Sequence, residues 1–599
     1  MASSRWTQEI LDEAGRQGDD PTVRPNADDL AAQVMSSAEG IRRQNELLQL
    51  VDLLMGSTAL ALTEKSVLRQ KLAEFPPEAL RYFEPAPAPD WLDEGKLRAG
   101  AALWRDNSLA CVGALYALSL PACYLCEEGV PALYATAKLE NRQYIFQRVY
   151  ETGLFADDVL DEGGFQVLED YTPELYLEVL QDVDPEGGWK GAFGGGLART
   201  AGEAAPGLAA RVQEEARRRR KRFLWGRGFL AARKVRFLHA SIRFMLLHPD
   251  KLPHRPVETH HEGEGPKHGP TGQRDYLRQH WSRRTVRDER LRDNPPINQE
   301  QLAMVLLTFG YMIPLGLERW GCRIPRPQKD AFLHLWKVVG HVMGIREDLM
   351  TDDWDEAKVL LDTILARQAF PSDAAKHMTS ALMDFMRAYL PHLPAGLRQR
   401  LPAHPIIDQL SQMDPRYPEM ILPAEDCAAA RKPLHRFAYG AITLGLRLYY
   451  RVRNRVVSTV PVVGDALVSA LHRSSEELIE SWRDQFRRRP FEVSGGYAWV
   501  HRRGATPQTE QALMRWRSRL FNNLGFAVLL LFVAVGLVLA GAVVSVLPAS
   551  LLAAKWSWAK GLGLGAVGSV ALSWLWMSWQ MPRVLAKRPD TRPAAGVTA

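Results

Sequence analysis

The chain has 599 residues, of which 46% are apolar and 24% are charged. These values are ordinary for a folded protein and exclude a disordered chain or a coiled-coil rod. The 75 basic and 69 acidic residues leave a net charge of +6, too small over this length to indicate a nucleic-acid-binding protein. Five cysteines provide no disulfide framework, so a reducing compartment is expected.

The N-terminal part of the chain is polar and carries no apolar core, so it is not expected to be a secretory signal. Residues 1–45 are predicted to be loosely ordered or to form one short helix. Apolar spacing predicts a helix within 46–75. The Pro-rich string EPAPAPDW at 84–91 is predicted to be a stiff linker.

From Trp91 onward, helical patterns follow one another almost without strand signals, so the predicted fold class is all-α. Cys123 and Cys126 form a single C-x-x-C pair in an apolar segment, which is interpreted as core packing. Asn298, three residues before Gln301, is predicted to cap a helix with a capping-box-like partner.

The segment Arg233–Leu247, RKVRFLHASIRFMLL, is apolar nearly all round and is predicted to be a buried helix. His239 lies in its middle, and Arg236 and Arg243 share its helical face. Two flanking cations favour a neutral imidazole, the form that binds a metal. Arginines beside an axial histidine can also pair with the propionates of a haem.

The same spacing leaves alternatives open. His239 could be a hydrogen-bonded core residue, and spacing alone does not distinguish haem iron from another metal. His334 and His341, seven residues apart on one predicted helix, could join His239 in a non-haem metal site, although core roles are the simpler interpretation.

Two uncharged stretches near the C-terminus, 524–546 and 561–579, are long and apolar enough to predict a transmembrane helical hairpin. A buried hairpin in a soluble core is the alternative. Basic residues outside the two spans favour a cytoplasmic main domain. The apolar and basic segment 437–460 is predicted either to lie on the membrane surface or to pack as an ordinary amphipathic helix.

Several strings resemble one family in series. KVRFLHASIRFML resembles the proximal-histidine helix of the oxygenase family that includes the rubber oxygenase (latex-clearing protein) and the membrane-bound mycophenolate-pathway oxygenase. ALYATAKLENRQYIFQRVYETGLFADDVL resembles that family's Arg-x-x-x-Thr helix, with Arg148 and Thr152 as the matches. The resemblance extends in order over about 95–400.

This resemblance implies an α-helical fold that holds one b-type haem, with His239 as the axial ligand of the iron. It places Arg148 and Thr152 near the haem pocket as candidate catalytic residues, and Arg236 and Arg243 as cofactor-binding residues. The implied reaction is the O₂-dependent cleavage of a carbon–carbon double bond in an isoprenoid chain. The implied partners are O₂, a lipid-soluble substrate and the membrane, without nucleic acid.

The sequence departs from the family at two places. Glu151 stands where rubber oxygenases carry a lysine that can cap the iron. Ala132 stands where they carry a glutamate proposed as a base, and Glu127 and Glu128 are the nearest carboxylates. These departures motivate two alternatives: a haem-binding or haem-sensing membrane protein without turnover, and a cofactor-free membrane scaffold.

The predicted organisation has four parts. They are an N-terminal polar and helical region with its linker at 1–94, an oxygenase-like haem domain at 95–415, an amphipathic region at 416–515 and a two-span anchor with a basic tail at 516–599.

Overall fold

The structure is a computed structural model that describes only part of the chain. The described residues are 5–20, 22, 25–36, 40–55, 75, 77–135, 142–169, 222–248, 293–389, 395–433, scattered positions between 439 and 541, and 555–587.

Three helices form the N-terminal part: α1, Gln8–Gly15; α2, Ala27–Met35; and α3, Gly40–Met55. The side chain of Asn26 caps α2 by accepting hydrogen bonds from two backbone N–H groups of its first turn. Apolar residues of α1 and α2 are buried in the main hydrophobic core. The prediction of a loosely ordered segment or one short helix over 1–45 was therefore wrong.

Helices make up most of the remaining described residues, which confirms the predicted helical class. They are α4, Pro77–Tyr82; α5, Glu94–Ala114; a π-helical turn, Leu115–Ser119; α6, Leu120–Cys123; α7, Gly129–Ala135; α8, Arg142–Leu160; α9, Arg227–Leu247; α10, Gln299–Gly310; α11, Met312–Arg319; α12, Arg326–Val342; a 3₁₀ turn, Glu347–Leu349; α13, Trp354–Gln368; α14, Asp373–Tyr389; α15, Ala395–Arg400; α16, Ala403–Ser411; α17, Tyr417–Ile421; α18, Ala424–Ala430; and α19, Lys555–Ala586.

A small antiparallel sheet interrupts the helices. Its strands are β1, Ala86–Pro87; β2, Gln166–Glu169; and β3, Arg222–Trp225, in the order β1-β3-β2. Because β1 lies at an edge, its proline removes no ladder hydrogen bond that the sheet needs. The segment 84–91 thus contains an edge strand, and its prediction as a linker was wrong.

The helix that carries His239 begins directly after β3 and in close contact with the end of α8. A Cβ atom at Gly228 would lie 2.7 Å from the carbonyl oxygen of Asp158 and 2.8 Å from that of Gly164, so only glycine permits this approach. The Gly228 N–H donates to the Gly164 carbonyl oxygen at 2.7 Å. Helix α9 then packs against α2, α3, α8 and α12, and the prediction that it is a buried helix is confirmed.

The capping prediction for α10 is also confirmed. The Asn298 side chain accepts a hydrogen bond from the Gln301 N–H at 3.0 Å. The Gln301 side chain in turn accepts one from the Ile297 N–H at 2.9 Å, one residue before the cap itself.

Among the described residues, one helical stretch, Gln299–Arg319, is both long and apolar enough to cross a bilayer, and 89% of its most apolar window is buried inside the protein. The first predicted span, 524–546, lies outside the described residues except for isolated positions, and the second falls within α19. The transmembrane hairpin stays a prediction.

Candidate cofactor site on helix α9

His239 lies at the middle of α9 and is partly exposed, whereas its neighbours Leu238 and Ala240 are buried. Most of this helix is inaccessible to solvent on every side. Because its imidazole is partly accessible, His239 can contact a group bound beside this helix.

Arg236, one helical turn before His239, is paired with the N-terminal part of the chain. Its Nε donates to Oδ1 of Asp19 at 2.8 Å, and its Nη2 donates to Oδ2 at 2.6 Å. Each side chain of the pair is 1% exposed. Two parallel hydrogen bonds between a guanidinium and a carboxylate are among the strongest that proteins make.

Arg243, one turn after His239, is paired with a second carboxylate of the N-terminal part. Its Nε donates to Oδ1 of Asp28 at 2.8 Å, and its Nη1 donates to the carbonyl oxygen of Ile297 at 2.7 Å. Ile297 has a φ of +56°, a backbone conformation that L-residues with side chains seldom adopt. The contact with Arg243 and the hydrogen bond at its N–H hold it in that conformation.

A third buried arginine on α9, Arg233, was missed in the sequence analysis. Its guanidinium lies 5.1 Å from the ring centroid of Tyr82 and 5.3 Å from that of Phe229. Burial and the neighbouring Arg236 lower the pKa of Arg233 to about 10. The string RKVR places Arg233 one turn before Arg236, and this spacing was the available signal.

Three nitrogen atoms of these arginines have no hydrogen-bond partner within the part of the chain that the structure describes. They are Nε and Nη1 of Arg233 and Nη1 of Arg236. Buried guanidinium nitrogens without partners are costly in a folded protein. These nitrogens are therefore candidates to pair with the carboxylate of a bound anion.

The two histidines of α12 have separate roles. The ring of His334 uses both nitrogens: Nε2 accepts from the Asp93 N–H at 3.0 Å, and Nδ1 lies 3.1 Å from Oδ2 of Asp352. His341 packs edge-on against Trp91, with ring centroids 5.8 Å apart. Burial, followed by repulsion from Arg233, lowers the pKa of His341 to about 4.

No group of three or more histidine, cysteine, aspartate or glutamate side chains with metal-site geometry occurs among the described residues. Because both nitrogens of His334 are already in use, this histidine is not available to a metal shared with His239. Cys123 and Cys126 are free thiols, and burial raises the pKa of Cys123 to about 11. They are packed as the sequence analysis interpreted them.

The two candidate catalytic residues, Arg148 and Thr152, lie one turn apart on α8 and therefore share a face of that helix. Thr152 and the adjacent Glu151 are half-buried. Because α8 packs directly against α9, the helix that carries these residues is a neighbour of the helix that carries His239.

The carboxylates closest to Ala132 in sequence are buried, and Glu128 is fully engaged. It accepts hydrogen bonds from Asn294 Nδ2 at 3.0 Å, Asn298 Nδ2 at 3.1 Å and Gln301 Nε2 at 3.1 Å. Ala132 itself is 1% exposed. Three amide donors around one carboxylate stabilise the start of α10 and leave this side chain poorly placed to remove a proton from a substrate.

The chemistry of α9 fits a haem in two respects. The imidazole of His239 is a suitable ligand for iron. The unpartnered nitrogens of Arg233 and Arg236 can receive the carboxylates of an anionic macrocycle, whose charge would offset the burial of the Arg233 cation.

The fold and α9 define a helical protein with a candidate iron-binding histidine between paired arginines. Residues 223–447 match the family model described as "ER-bound oxygenase mpaB/B'/Rubber oxygenase, catalytic domain". The match includes Arg236, His239 and Arg243 and confirms the resemblance over this range. Arg148 and Thr152 precede it.

Two further proteins are similar to this chain. The chain is 27% identical over 110 residues to the rubber oxygenase of Streptomyces sp. (strain K30), a match that covers 18% of this chain and a quarter of that protein's length. The solved structure titled "Structure of Latex Clearing Protein LCP in the closed state" is similar at 17% identity with a TM-score of 0.43, and covers 73% of this chain and 84% of the other.

Proposed function

We propose that this protein is a haem b-dependent oxygenase that acts with O₂ on an apolar, isoprenoid chain and cleaves a carbon–carbon double bond. The observation that carries the proposal is the family match at 223–447, since it contains the helix on which His239 lies between Arg236 and Arg243. An oxygenase is the activity that the matched family is named for.

The chain's own residues suit this role. His239 would hold the iron, and the unpartnered nitrogens of Arg233 and Arg236 would bind propionate carboxylates. Arg148 and Thr152 would shape the pocket for the substrate or bind propionates. When bound, the haem would supply the activation of O₂ that amino-acid side chains do not provide.

The surroundings of His239 favour an apolar substrate. On the same helix, Leu238 and Ile242 are buried apolar residues of the main hydrophobic core. Apolar side chains around a reacting group exclude water and stabilise a hydrocarbon by the same burial that stabilises the core. The substrate is therefore proposed to be soluble in lipid rather than in water.

A second candidate function is haem binding or sensing without turnover. It is favoured by the engagement of Glu128 with three amide groups, because this removes the carboxylate nearest to the place where rubber oxygenases carry their proposed base. Glu151 on α8 is the other departure. Oxygen consumption decides between the two candidates, as described below.

We further propose that the C-terminal hairpin anchors the protein in a membrane with the main domain on the cytoplasmic side. Support comes from α19, where Leu564, Leu572 and Trp579 are exposed, and Arg583 stacks on the Trp579 ring at 3.7 Å. Aromatic and basic side chains together are typical of the ends of membrane spans. Resistance to carbonate extraction, and protease access in sealed vesicles, test the anchor and its orientation.

The central experiment compares the optical spectra of the purified wild type and His239→Ala after expression with ample haem. We expect a Soret band in the wild type and its loss or a strong shift in the variant. His334→Ala is the matched control, since it removes a buried histidine from a neighbouring helix and should leave the band in place. Identical spectra for the wild type and His239→Ala would disprove the assignment.

Turnover is tested on the reduced wild type with O₂ and a panel of polyisoprenoid and prenylated lipids. Oxygen consumption with formation of carbonyl products supports the oxygenase. A Soret band without oxygen consumption across the panel supports the sensor, and no Soret band at all supports a scaffold without cofactor.

A further inference from the structure

The candidate site on α9 receives two carboxylates from a distant part of the chain. Residues 5–36, which we name the N-terminal segment, lie outside the range that matches the family model. Asp19 and Asp28 of this segment nevertheless pair with the arginines one turn before and one turn after His239.

Asp19 accepts three hydrogen bonds in a buried position. Its carboxylate accepts both hydrogen bonds from Arg236 and a third from the Ala27 N–H at 2.7 Å, at the first residue of α2. The side-chain amide of Gln299 links the backbone next to Asp19 to the segment that follows α12. Its Nε2 donates to the carbonyl oxygens of Gly18 at 2.8 Å and of Gly344 at 2.9 Å. The carboxylate is therefore held from several elements at once.

Asp28 links its own ion pair to the first one. Oδ1 accepts from Arg243, and Oδ2 accepts from the Asp19 N–H at 2.9 Å. The two ion pairs are thus connected through the backbone of the N-terminal segment.

The two pairs constrain the helix between them. His239 is three residues after Arg236 and four residues before Arg243, so all three lie on one face of α9. Fixing the arginine on each side fixes the rotation of this face about the helix axis. The same carboxylates neutralise the two positive charges closest to the imidazole along the helix.

We propose that Asp19 and Asp28 are positioning residues for His239, and that the N-terminal segment is an integral part of the cofactor site. This inference rests on the proposed function, in which His239 binds the haem iron. Asp19 and Asp28 act through the arginines and are not assigned any contact with the haem.

The first test is a titration of the haem-free full-length chain with haemin. Asp19→Asn keeps the size of the side chain but removes the charge that Arg236 needs. We expect it to weaken haem binding at least about tenfold, in the range that outer partners of metal ligands contribute. Asp28→Asn is the second variant, and because its side chain is 38% exposed it should fold even where Asp19→Asn does not.

The matched control is Glu300→Gln. Glu300 is as deeply buried as Asp19 and pairs with Arg367 at 2.8 Å, and Arg367 also pairs with Asp12 of the N-terminal segment. This control weakens a buried ion-pair network attached to the same segment without touching α9. We expect its haem affinity to stay within about twofold of the wild type, well below the tenfold loss expected for Asp19→Asn.

A purely structural role would lower haem affinity in the aspartate variants and in Glu300→Gln alike, and this result would overturn the inference. So would wild-type affinity in both folded aspartate variants. Weakened binding in either of them together with unchanged binding in Glu300→Gln supports it.

A second measurement does not depend on haem. The ring ¹³Cε1–¹Hε1 NMR signal of His239, assigned by its loss in His239→Ala, is compared in the haem-free variants. We expect it to move in Asp19→Asn and Asp28→Asn and to stay in Glu300→Gln. If the wild type binds no haem, the proposed function fails, whereas a signal that moves in this pattern still supports the positioning role and a stationary signal refutes it.

Discussion

Gly344 offers the sharpest test of the buried ion pair between Asp19 and Arg236. It follows α12 in a left-handed conformation, with a φ of +74°. A Cβ atom built on it would lie 2.5 Å from both Nε of Arg236 and Oδ1 of Asp19. The backbone of Gly344 therefore packs directly against the pair, and Gly344→Ala is the substitution that tests it.

The expected loss of stability has two parts. A left-handed conformation costs a residue with a Cβ about 1–2 kcal/mol, and forcing a methyl group into a packed core costs about 1–3 kcal/mol. Neither contact atom can move away easily, because both belong to a bidentate pair that is 1% exposed. We expect Gly344→Ala to lower the free energy of unfolding by about 2–5 kcal/mol, the sum of these ranges.

Urea denaturation followed by far-UV circular dichroism measures this loss. Gly396→Ala is the control, since Gly396 lies in the short helix α15 and a Cβ there would meet nothing within 4 Å. That variant should be neutral or more stable by up to about 1 kcal/mol. A Gly344→Ala protein within about 0.5 kcal/mol of the wild type would refute the whole account, because even the conformational cost alone exceeds this value. A loss no larger than the conformational cost of about 1–2 kcal/mol would mean that the pair is not packed as described.

Two further predictions concern pH. Burial and repulsion from Arg233 lower the pKa of His341 to about 4 in the folded protein. In the unfolded chain the imidazole becomes protonated near pH 6.5, whereas in the folded protein it stays neutral until the pH is much lower. The contribution of the neutral His341 to the free energy of unfolding is fully present above pH 6.5, and the free energy falls by about 1.4 kcal/mol per pH unit between pH 6.5 and pH 4. In His341→Leu, urea denaturation at a series of pH values should show a shallower dependence of this free energy on pH. An unchanged dependence would contradict this account. The hydrogen bond from His334, followed by that from Lys96, lowers the pKa of Asp352. The ionised carboxylate therefore stabilises the fold above its unfolded pKa of about 3.9, and this stabilisation is lost as the pH falls through its pKa in the folded protein. Asp352→Asn should therefore cost about 1–3 kcal/mol at pH 7 and less below pH 4, and a cost that does not change with pH would contradict this origin.

Sequence reasoning succeeded where local patterns decide the structure. The apolar periodicity around His239 predicted a buried helix, and the short polar side chain of Asn298 ahead of an apolar run predicted a helix cap; the structure confirms both. It failed at 1–45 and 84–91, which look polar or Pro-rich in isolation. These two segments have few apolar residues of their own. They are ordered because α1 and α2 pack into the main hydrophobic core and β1 pairs with β3.

The sequence by itself determined the helical class, the family resemblance and the placement of His239 between Arg236 and Arg243, because helical period and residue type are local properties. Only the tertiary structure decided what the two arginines contact. Their carboxylate partners, Asp19 and Asp28, are 217 and 215 residues away along the chain. No periodicity encodes such a pairing, since it follows from packing the N-terminal helices onto α9 and from the need of each buried charge for a counter-charge.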